Sequence, residues 1–180
     1  MAHAWHFLGS TTLQRLGKLT LREDAWRLPT GAERRYPVLH VGTTVGVVAF
    51  VDPEHVLLVR QFRHLARAES WELPGGGGQH GEDPEAAAQR ELREEGGYRA
   101  GRLTLLSRFS PSNAYLDEMA YCYIGEDLTA DPLASDDDEF FERRAVPFRD
   151  AVAMALDDRI TESVSKVALL TAALKLGVRP

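Results

Sequence analysis

Cysteine is almost absent from the sequence. The single cysteine, Cys122, has no partner within the chain for a disulfide or for a thiolate metal cluster. This scarcity is typical of proteins that work in a reducing compartment, and it favours the cytoplasm. No uninterrupted apolar run reaches the length of a membrane span, and the first residues lack the basic start and apolar stretch of a signal peptide. The sequence therefore predicts a cytoplasmic protein that does not enter a membrane.

Positive charge is in the minority. Lys and Arg number 21 against 27 Asp and Glu, which gives a formal net charge of -6 at pH 7. Affinity for a nucleic-acid backbone comes from clustered Lys and Arg that displace counterions, so this balance argues against nucleic acid as a partner. An acidic protein that handles phosphates needs divalent cations to offset the repulsion between its carboxylates and the substrate.

The composition is that of one globular domain with an extension. A chain of 180 residues with 44% hydrophobic residues can close one ordinary core. Strands predicted at 19–26 and 36–51 make the first forty residues a β extension. Together with the remaining elements they indicate an α+β fold on a mixed β-sheet. The other predicted strands are 55–61, 69–73, 103–109, 118–125 and 141–146, and the predicted helices are 84–95, 148–156 and 161–176.

The helix predicted over 84–95 has clear boundaries. Asp83 is a good N-cap residue, and Pro84 suits the first helical position, where its missing amide costs nothing. The pair Gly96 and Gly97 ends the helix. Ala88 and Leu92 form an apolar stripe that can pack against a sheet.

Three carboxylates share one face of this helix. Each helical residue turns by about 100°, so Glu91, Glu94 and Glu95 lie within an arc of about 100°. Like charges at this spacing repel one another, and carboxylates in a last helical turn oppose the helix dipole. A hard divalent cation such as Mg²⁺ or Mn²⁺ would reverse each of these unfavourable interactions. The alternative is that this Glu- and Arg-rich stretch is simply a solvated helix face.

A glycine-rich loop precedes the helix. Residues 71–81 (Trp-Glu-Leu-Pro-Gly-Gly-Gly-Gly-Gln-His-Gly) can bring backbone carbonyls or amides close to a metal or a phosphate. A dinucleotide-type glycine pattern is present, but the helix begins too late for that motif. No Gly-Lys-Ser/Thr follows, which argues against a phosphate-loop NTPase.

The loop and the helix together resemble a known family. Gly76, then Glu82 after five residues, then residues 90–97 (Arg-Glu-Leu-Arg-Glu-Glu-Gly-Gly) after seven more match the Nudix box, with Tyr98 where an aliphatic residue is more usual. Residues 58–63 and 71–75 resemble the branch that cleaves ADP-ribose and nucleoside diphosphate sugars. The resemblance covers about residues 40–176.

This resemblance implies a fold, a domain division and an activity. The fold would be a Nudix α/β/α sandwich over residues 41–180, preceded by a β extension over residues 1–40. In related pyrophosphatases such strands are exchanged, which implies a homodimer whose subunits complete each other's substrate pocket. The implied reaction is metal-dependent hydrolysis of the diphosphate bond of ADP-ribose or a related nucleoside diphosphate sugar, which releases a nucleoside monophosphate and a sugar phosphate.

The resemblance also assigns roles within the box. Glu91, Glu94 and Glu95 would bind Mg²⁺ or Mn²⁺, joined by the carbonyl of Gly75. Arg90 would pair with Glu82 and orient the loop against the helix. Gly76 and Gly97 would be structural residues of the motif.

Residues outside the box complete the implied site. Glu139, in an acidic run, is the candidate general base, although such runs are often solvated loops. Arg63 is the candidate diphosphate contact, or else a surface arginine at a strand end. Glu118 is the candidate for a ribose or sugar hydroxyl, or else a strand-edge cap. Trp26 and Tyr36 would stack on the base, or else they are packed aromatic residues.

Two other functions stay open at this point. The first is a Nudix enzyme that acts on a dinucleotide, coenzyme A or an oxidised nucleoside triphosphate. The second is a non-catalytic sensor that binds ADP-ribose, although the intact set of box acids argues against it.

Overall fold

The computed structural model of the chain describes residues 4–135 and 140–178. These residues contain ten strands, three α-helices and one π-helical turn. The α+β class predicted from the sequence is confirmed. In chain order the elements are β1 (His6–Leu16), β2 (Leu19–Arg27), β3 (Glu33–His40), β4 (Thr43–Ala49), β5 (His55–Arg63), β6 (Ala68–Glu72), β7 (Gly75–Gly77), α1 (Pro84–Glu91), the π-turn (Leu92–Gly96), β8 (Tyr98–Phe109), β9 (Met119–Ala130), β10 (Glu142–Pro147), α2 (Phe148–Leu156) and α3 (Ser163–Leu176).

The described residues form two compact units. The first consists of the residues up to Gly42 together with Ser110–Met119, and the second of Thr43–Phe109 and the residues from Ala120 onward. In the first unit, β2 pairs antiparallel with both β1 and β3. Most side chains of β1 are exposed, so this sheet has no closed core of its own.

The segment Ser110–Met119 is tied to the first unit through Asp117. Its carboxylate accepts hydrogen bonds from Arg22 at 2.5 Å, from His40 at 2.6 Å and from the Val41 amide at 3.1 Å. Burial opposes ionisation of Asp117, but the bonds from His40 and Arg22 outweigh it and lower the pKa of this carboxyl. Three hydrogen bonds to the Asp117 carboxylate therefore anchor this segment to the rest of the first unit.

The second unit is layered. Its strands form two sheets with the orders β10-β5-β6 and β7-β4-β9-β8. Side chains alternate along β4, because successive residues of a strand point to opposite faces. Val45 and Val47 join a core cluster with Ala88 of α1, whereas Val48 joins the cluster of α2 and α3. The four-stranded sheet is thus covered by helices on both faces, as the α/β/α prediction requires.

Three local predictions need correction. The strand predicted over 36–51 is two strands, because Gly42 adopts a left-handed conformation with φ of 90° between β3 and β4. Strand β1 was not predicted as a separate strand. The helix predicted over 84–95 is α-helical only to Glu91 and continues as the π-turn.

Among the described residues, no helix has the length and apolar character needed to cross a membrane.

Candidate active site

The glycine loop contains the short strand β7, which lies on β4. Gly75 pairs with Gly46, and Gly76 pairs with Val45. A Cβ atom on Gly75 would lie 2.2 Å from the carbonyl oxygen of Val45, so only glycine fits at this position. This close approach brings the loop backbone against the sheet and beside α1.

Helix α1 starts and packs as the sequence predicts. The carboxylate of Asp83 accepts hydrogen bonds from the amides of Glu85 at 2.9 Å and Ala86 at 3.4 Å, and Pro84 follows at the first helical position. Ala88 and Leu92 are fully buried. The helix therefore presents its acidic turn next to the core.

The acidic turn is π-helical, which the sequence did not indicate. Glu94 and Glu95 lie in the π-turn, and Gly97 ends it in a left-handed conformation with φ of 80°. The arc calculated for an ideal α-helix therefore does not describe these carboxylates. Single π-turns inserted in α-helices are frequent at functional sites.

The solvated-face interpretation of the acidic turn is wrong. Glu91 is 8% exposed and Glu95 is 4% exposed, while Glu94 is half-buried. Glutamates are rarely this buried unless they are paired or bind a cation. The turn therefore holds acids where local stability alone would disfavour them.

Arg90 joins the acidic turn to the loop. Its Nη1 donates to Oε1 of Glu91 and to Oε2 of Glu94, both at 2.8 Å. Its Nε and Nη2 donate to the two carboxylate oxygens of Glu82, and Nη2 also donates to the Gly77 carbonyl at 2.9 Å. The bond with Glu82 raises the pKa of Arg90 and lowers that of Glu82. The pair of Glu82 and Arg90 that the resemblance implied is present.

Two further contacts connect the loop to the turn. The amide of Gly75 donates to Oε2 of Glu95 at 2.8 Å. A Cβ atom on Gly76 would lie 2.8 Å from the carboxyl group of Glu91. Glycine at this position thus leaves the space that the Glu91 carboxylate occupies.

The donor set suits a hard divalent cation. One positively charged nitrogen, Nη1 of Arg90, already bridges the carboxylates of Glu91 and Glu94, and Glu95 lies in the next position of the same turn. Carboxylate and carbonyl oxygens are the ligands that Mg²⁺ and Mn²⁺ prefer. Within residues 4–135 and 140–178, no three His, Cys, Asp or Glu side chains are already drawn together as a metal-binding group. Protein donors hold the carboxylates instead.

Arg63 is bound to a second buried acid, Glu72. Its Nε donates to Oε1 of Glu72 at 2.9 Å, and its Nη2 donates to Oε2. Glu72 is 3% exposed, whereas the side chain of Arg63 is 45% exposed. The hydrogen bond to Glu72 raises the pKa of Arg63, and the negative charge of Glu95 contributes. Arg63 is therefore an oriented guanidinium within electrostatic range of the acidic turn.

In the first unit, Trp26 and Tyr36 share an aromatic cluster with Trp5. The ring centroids of Trp5 and Trp26 are 6.4 Å apart, and those of Trp5 and Tyr36 are 6.3 Å apart. The three rings line a cavity of about 340 Å³. Trp5 was not singled out from the sequence, because an isolated aromatic residue near an end of the chain has no periodic pattern around it.

The remaining predicted site residues lie elsewhere. Glu118 is half-buried in the first unit, directly after Asp117. Glu139 lies outside the residues that the structure describes. Glu72 was noticed only as part of a motif. Its pairing with Arg63 could not be predicted from strand register either, because β6 sets Glu72 opposite Val59 and Arg63 opposite Ala68, so the long Arg63 side chain reaches along the strands to Glu72.

Comparison with known proteins gives concordant matches. Residues 40–167 match the family described as NUDIX domain. The ADP-ribose pyrophosphatase of Bacillus subtilis (strain 168) is 34% identical over 151 residues, which cover 82% of this chain and 81% of that protein. The ADP-ribose pyrophosphatase of Mycobacterium tuberculosis (strain ATCC 25618 / H37Rv) is 30% identical over 172 residues, 93% of this chain and 83% of that protein. The crystal structure of an ADP compounds hydrolase superposes with a TM-score of 0.83 at 24% identity, covers 96% of this chain and 94% of that one, and shows the same fold.

Proposed function

The chain belongs to the NUDIX domain family and is a hydrolase of phosphorus anhydrides, and from this premise we propose that it cleaves the diphosphate bond of ADP-ribose or a related nucleoside diphosphate sugar. The products would be a nucleoside monophosphate and a sugar phosphate. Two relatives with at least 30% identity over most of this chain are ADP-ribose pyrophosphatases, which supports this substrate class.

The observation that carries the proposal is the bridging of two carboxylates by one cationic nitrogen. Arg90 binds Glu91 and Glu94 at equal distances of 2.8 Å. We infer that Glu91, Glu94 and Glu95 hold Mg²⁺ or Mn²⁺, with the carbonyl of Gly75 as a further ligand. Nudix hydrolases generally use divalent metals. When bound, the metal offsets charge on the diphosphate and acidifies a water molecule for attack at phosphorus.

The residues around the acidic turn would orient these ligands. Arg90, fixed by Glu82, holds the helix against the loop. Gly76 has no side chain and so leaves space for the carboxylate of Glu91. In this proposal Glu82, Arg90, Gly76 and Gly97 shape the site without binding the metal. Loss of any of them would misplace a ligand rather than remove one.

We assign the general base to Glu139, in the acidic run after β9. A carboxylate there would take a proton from the attacking water. The change Glu139→Gln should lower kcat at least 100-fold, since general base catalysis contributes about 10²–10⁴-fold. A kcat close to that of the wild type would instead assign the base to a box glutamate or to metal hydroxide.

We propose that four residues outside the box contact the substrate. Arg63, oriented by Glu72, would bind the diphosphate, because a guanidinium can donate two parallel hydrogen bonds to phosphate oxygens. Glu118 would accept a bond from a ribose or sugar hydroxyl. Trp26 and Tyr36 would stack on the base, since aromatic faces bind planar rings.

We also propose a role for each of the two domains that the resemblance implies. Residues 41–180 would form the hydrolase domain, and residues 1–40 would be a β extension that dimerises the protein and completes the pocket. A homodimer in a reducing cytoplasm is the proposed working form. Light scattering at working concentration should give twice the chain mass, and a monomer would count against the dimer.

A substrate panel tests the proposal. ADP-ribose, ADP-glucose, GDP-mannose, NADH, coenzyme A and oxidised dGTP are each incubated with the protein, with and without Mg²⁺ or Mn²⁺, and the released nucleotide is measured. We expect ADP-ribose or a nucleotide sugar to be cleaved most efficiently, and only with metal. Preferred cleavage of NADH, coenzyme A or oxidised dGTP would identify another Nudix specificity. Binding of ADP-ribose without turnover of any compound would identify a sensor.

A further inference from the structure

Arg143 reaches from β10 to the turn that carries the acidic residues. It pairs with Val59 of β5, and the π-turn packs on the same strand, where a Cβ atom on Gly96 would lie 2.9 Å from Leu57. The guanidinium Nε donates to the carbonyl oxygen of Glu95 at 2.5 Å, and Nη2 donates to the carbonyl oxygen of Glu94 at 3.2 Å. One side chain thus binds the backbone of two of the three proposed metal ligands.

These contacts stabilise the end of the helix in two ways. The last four carbonyl groups of a helix lack partners within it, and two of them here receive donors from Arg143. A cation near a helix C-terminus also opposes the negative end of the dipole. A cation stabilises this turn further, because Glu94 and Glu95 add negative charge to the same end of the helix.

Arg143 and Arg90 hold the turn in different ways. Arg90 binds the carboxylate oxygens of Glu91 and Glu94, which are the atoms that a metal would bind. Arg143 binds carbonyl oxygens, so its bonds need not change when a cation takes over the carboxylates. Arg143 can therefore keep the turn in one conformation whether or not a metal is bound.

We propose that Arg143 is a positioning residue, which fixes the backbone of Glu94 and Glu95 so that their carboxylates are preorganised for a divalent cation. This inference rests on the proposed metal-dependent hydrolysis. It assigns Arg143 no contact with substrate. A guanidinium suits the role because its planar fork donates to two acceptors at once, which a lysine cannot do in a fixed geometry.

The chain supplies a matched control in the next residue. Arg144 lies on the opposite face of β10, where its guanidinium stacks on Trp71 at 4.8 Å and binds Glu142 at 2.9 Å. Arg143→Ala and Arg144→Ala remove the same charge from adjacent positions of one strand. Only the first removes donors from the acidic turn.

The test measures the affinity of the full chain for Mn²⁺ alone by calorimetry. Partners that orient metal ligands typically contribute 10–100-fold to metal affinity or activity, so we expect Arg143→Ala to weaken Mn²⁺ binding about tenfold. Arg144→Ala should stay within about twofold of the wild type, although it loses a stacking contact. Equal affinities of the two variants would overturn the inference.

Two further measurements separate positioning from stability. Hydrogen exchange at the Gly97 amide, which donates to the Arg93 carbonyl at 3.2 Å, should accelerate in Arg143→Ala and not in Arg144→Ala. Arg143→Lys keeps the charge but not the fork, and it should restore part of the Mn²⁺ affinity. If Arg143→Ala does not fold, the Mn²⁺ affinity of Arg143→Lys provides the test. An affinity equal to that of the wild type would contradict the role of the planar guanidinium.

The failure of this inference is distinguishable from the failure of the proposed function. If the wild-type chain binds no Mn²⁺ and cleaves no nucleotide sugar, the proposed function fails before any variant is compared. If the wild type does both and the Arg143 variants behave like Arg144→Ala, only the positioning role fails.

Discussion

Arg90 and Glu82 form a two-point ion pair, with Nε and Oε1 3.1 Å apart and Nη2 and Oε2 3.0 Å apart. Glu82 also accepts a hydrogen bond from the Gln79 amide at 2.8 Å. The pair therefore links the glycine loop to the acidic turn through a single guanidinium. The same guanidinium also donates to Glu91, Glu94 and the Gly77 carbonyl.

The change Glu82→Gln should therefore affect catalysis more than stability. The glutamine side chain has one acceptor oxygen where the carboxylate has two, so it cannot accept both hydrogen bonds from Arg90. We expect a loss of about 1–2 kcal/mol in the free energy of unfolding. The value of kcat should fall at least tenfold, while KM changes little, because ligands are misplaced rather than lost. Urea unfolding and steady-state kinetics measure both. A stability loss with unchanged kcat would show that the pair does not orient the site.

The same pair predicts a pH dependence. The hydrogen bond from Arg90 lowers the pKa of Glu82 below the usual value of 4.5, against the effect of burial. A lowered pKa in the folded state means that the stabilisation is complete above the unfolded pKa and is lost as the pH falls through the folded one. The stability difference between wild type and Glu82→Gln should be constant at neutral pH and shrink below about pH 4.5. Unfolding curves at several pH values measure it, and a difference that grows on acidification would contradict the ion pair.

Gly76 offers a test of the space beside Glu91. In Gly76→Ala the new Cβ atom would lie 2.8 Å from the Glu91 carboxyl group, which can move because it ends a flexible side chain. We expect the fold to survive with less than about 1 kcal/mol lost, while kcat falls at least tenfold because a proposed ligand is displaced. Gly77→Ala is the control, since its Cβ atom meets nothing within 4 Å. If the two variants have the same kcat, the position of Glu91 is not critical.

Arg63 and Glu72 are expected to be energetically coupled. Removing Arg63 leaves the carboxylate of Glu72 buried without its two-point partner, which in a buried pair costs about 3–5 kcal/mol. Because Arg63 is partly exposed, we expect about 2 kcal/mol for Arg63→Ala, and less when Glu72→Gln is also present. Chemical unfolding of the two single variants and the double variant gives the coupling. Additive losses would mean that the pair is not a unit.

Much of the fold follows from sequence pattern alone. The N-cap Asp83, the terminating Gly97 and the buried stripe of Ala88 and Leu92 all have local causes in the sequence. Strand β1 was missed as an element because its side chains are nearly all exposed and show no alternation. Strand β7 was missed because three glycines have no side chains to form a pattern, and only pairing with β4 makes them a strand.

The site was predictable in part for the same reasons. Helical spacing placed the three acids on one side of the helix, and the resemblance to the Nudix box implied the pair of Arg90 and Glu82, because these residues are close in sequence. The π-turn depends on i+5 hydrogen bonds that leave no compositional mark. Arg143 lies 48 residues beyond Glu95, and only the pairing of β10 with β5 brings it to the acidic turn.

We propose that the acidic turn binds a divalent cation for catalysis. Calorimetric titration of Mn²⁺ into the protein with an uncleavable methylene analogue of ADP-ribose tests it most directly, using the wild type, Glu95→Gln and, as control, Glu85→Gln from the first turn of the same helix. We predict saturable binding in the wild type and in Glu85→Gln, and a loss of at least tenfold in affinity in Glu95→Gln. Absence of Mn²⁺ binding in the wild type, or equal binding in all three proteins, would show that the acidic turn does not bind the cation.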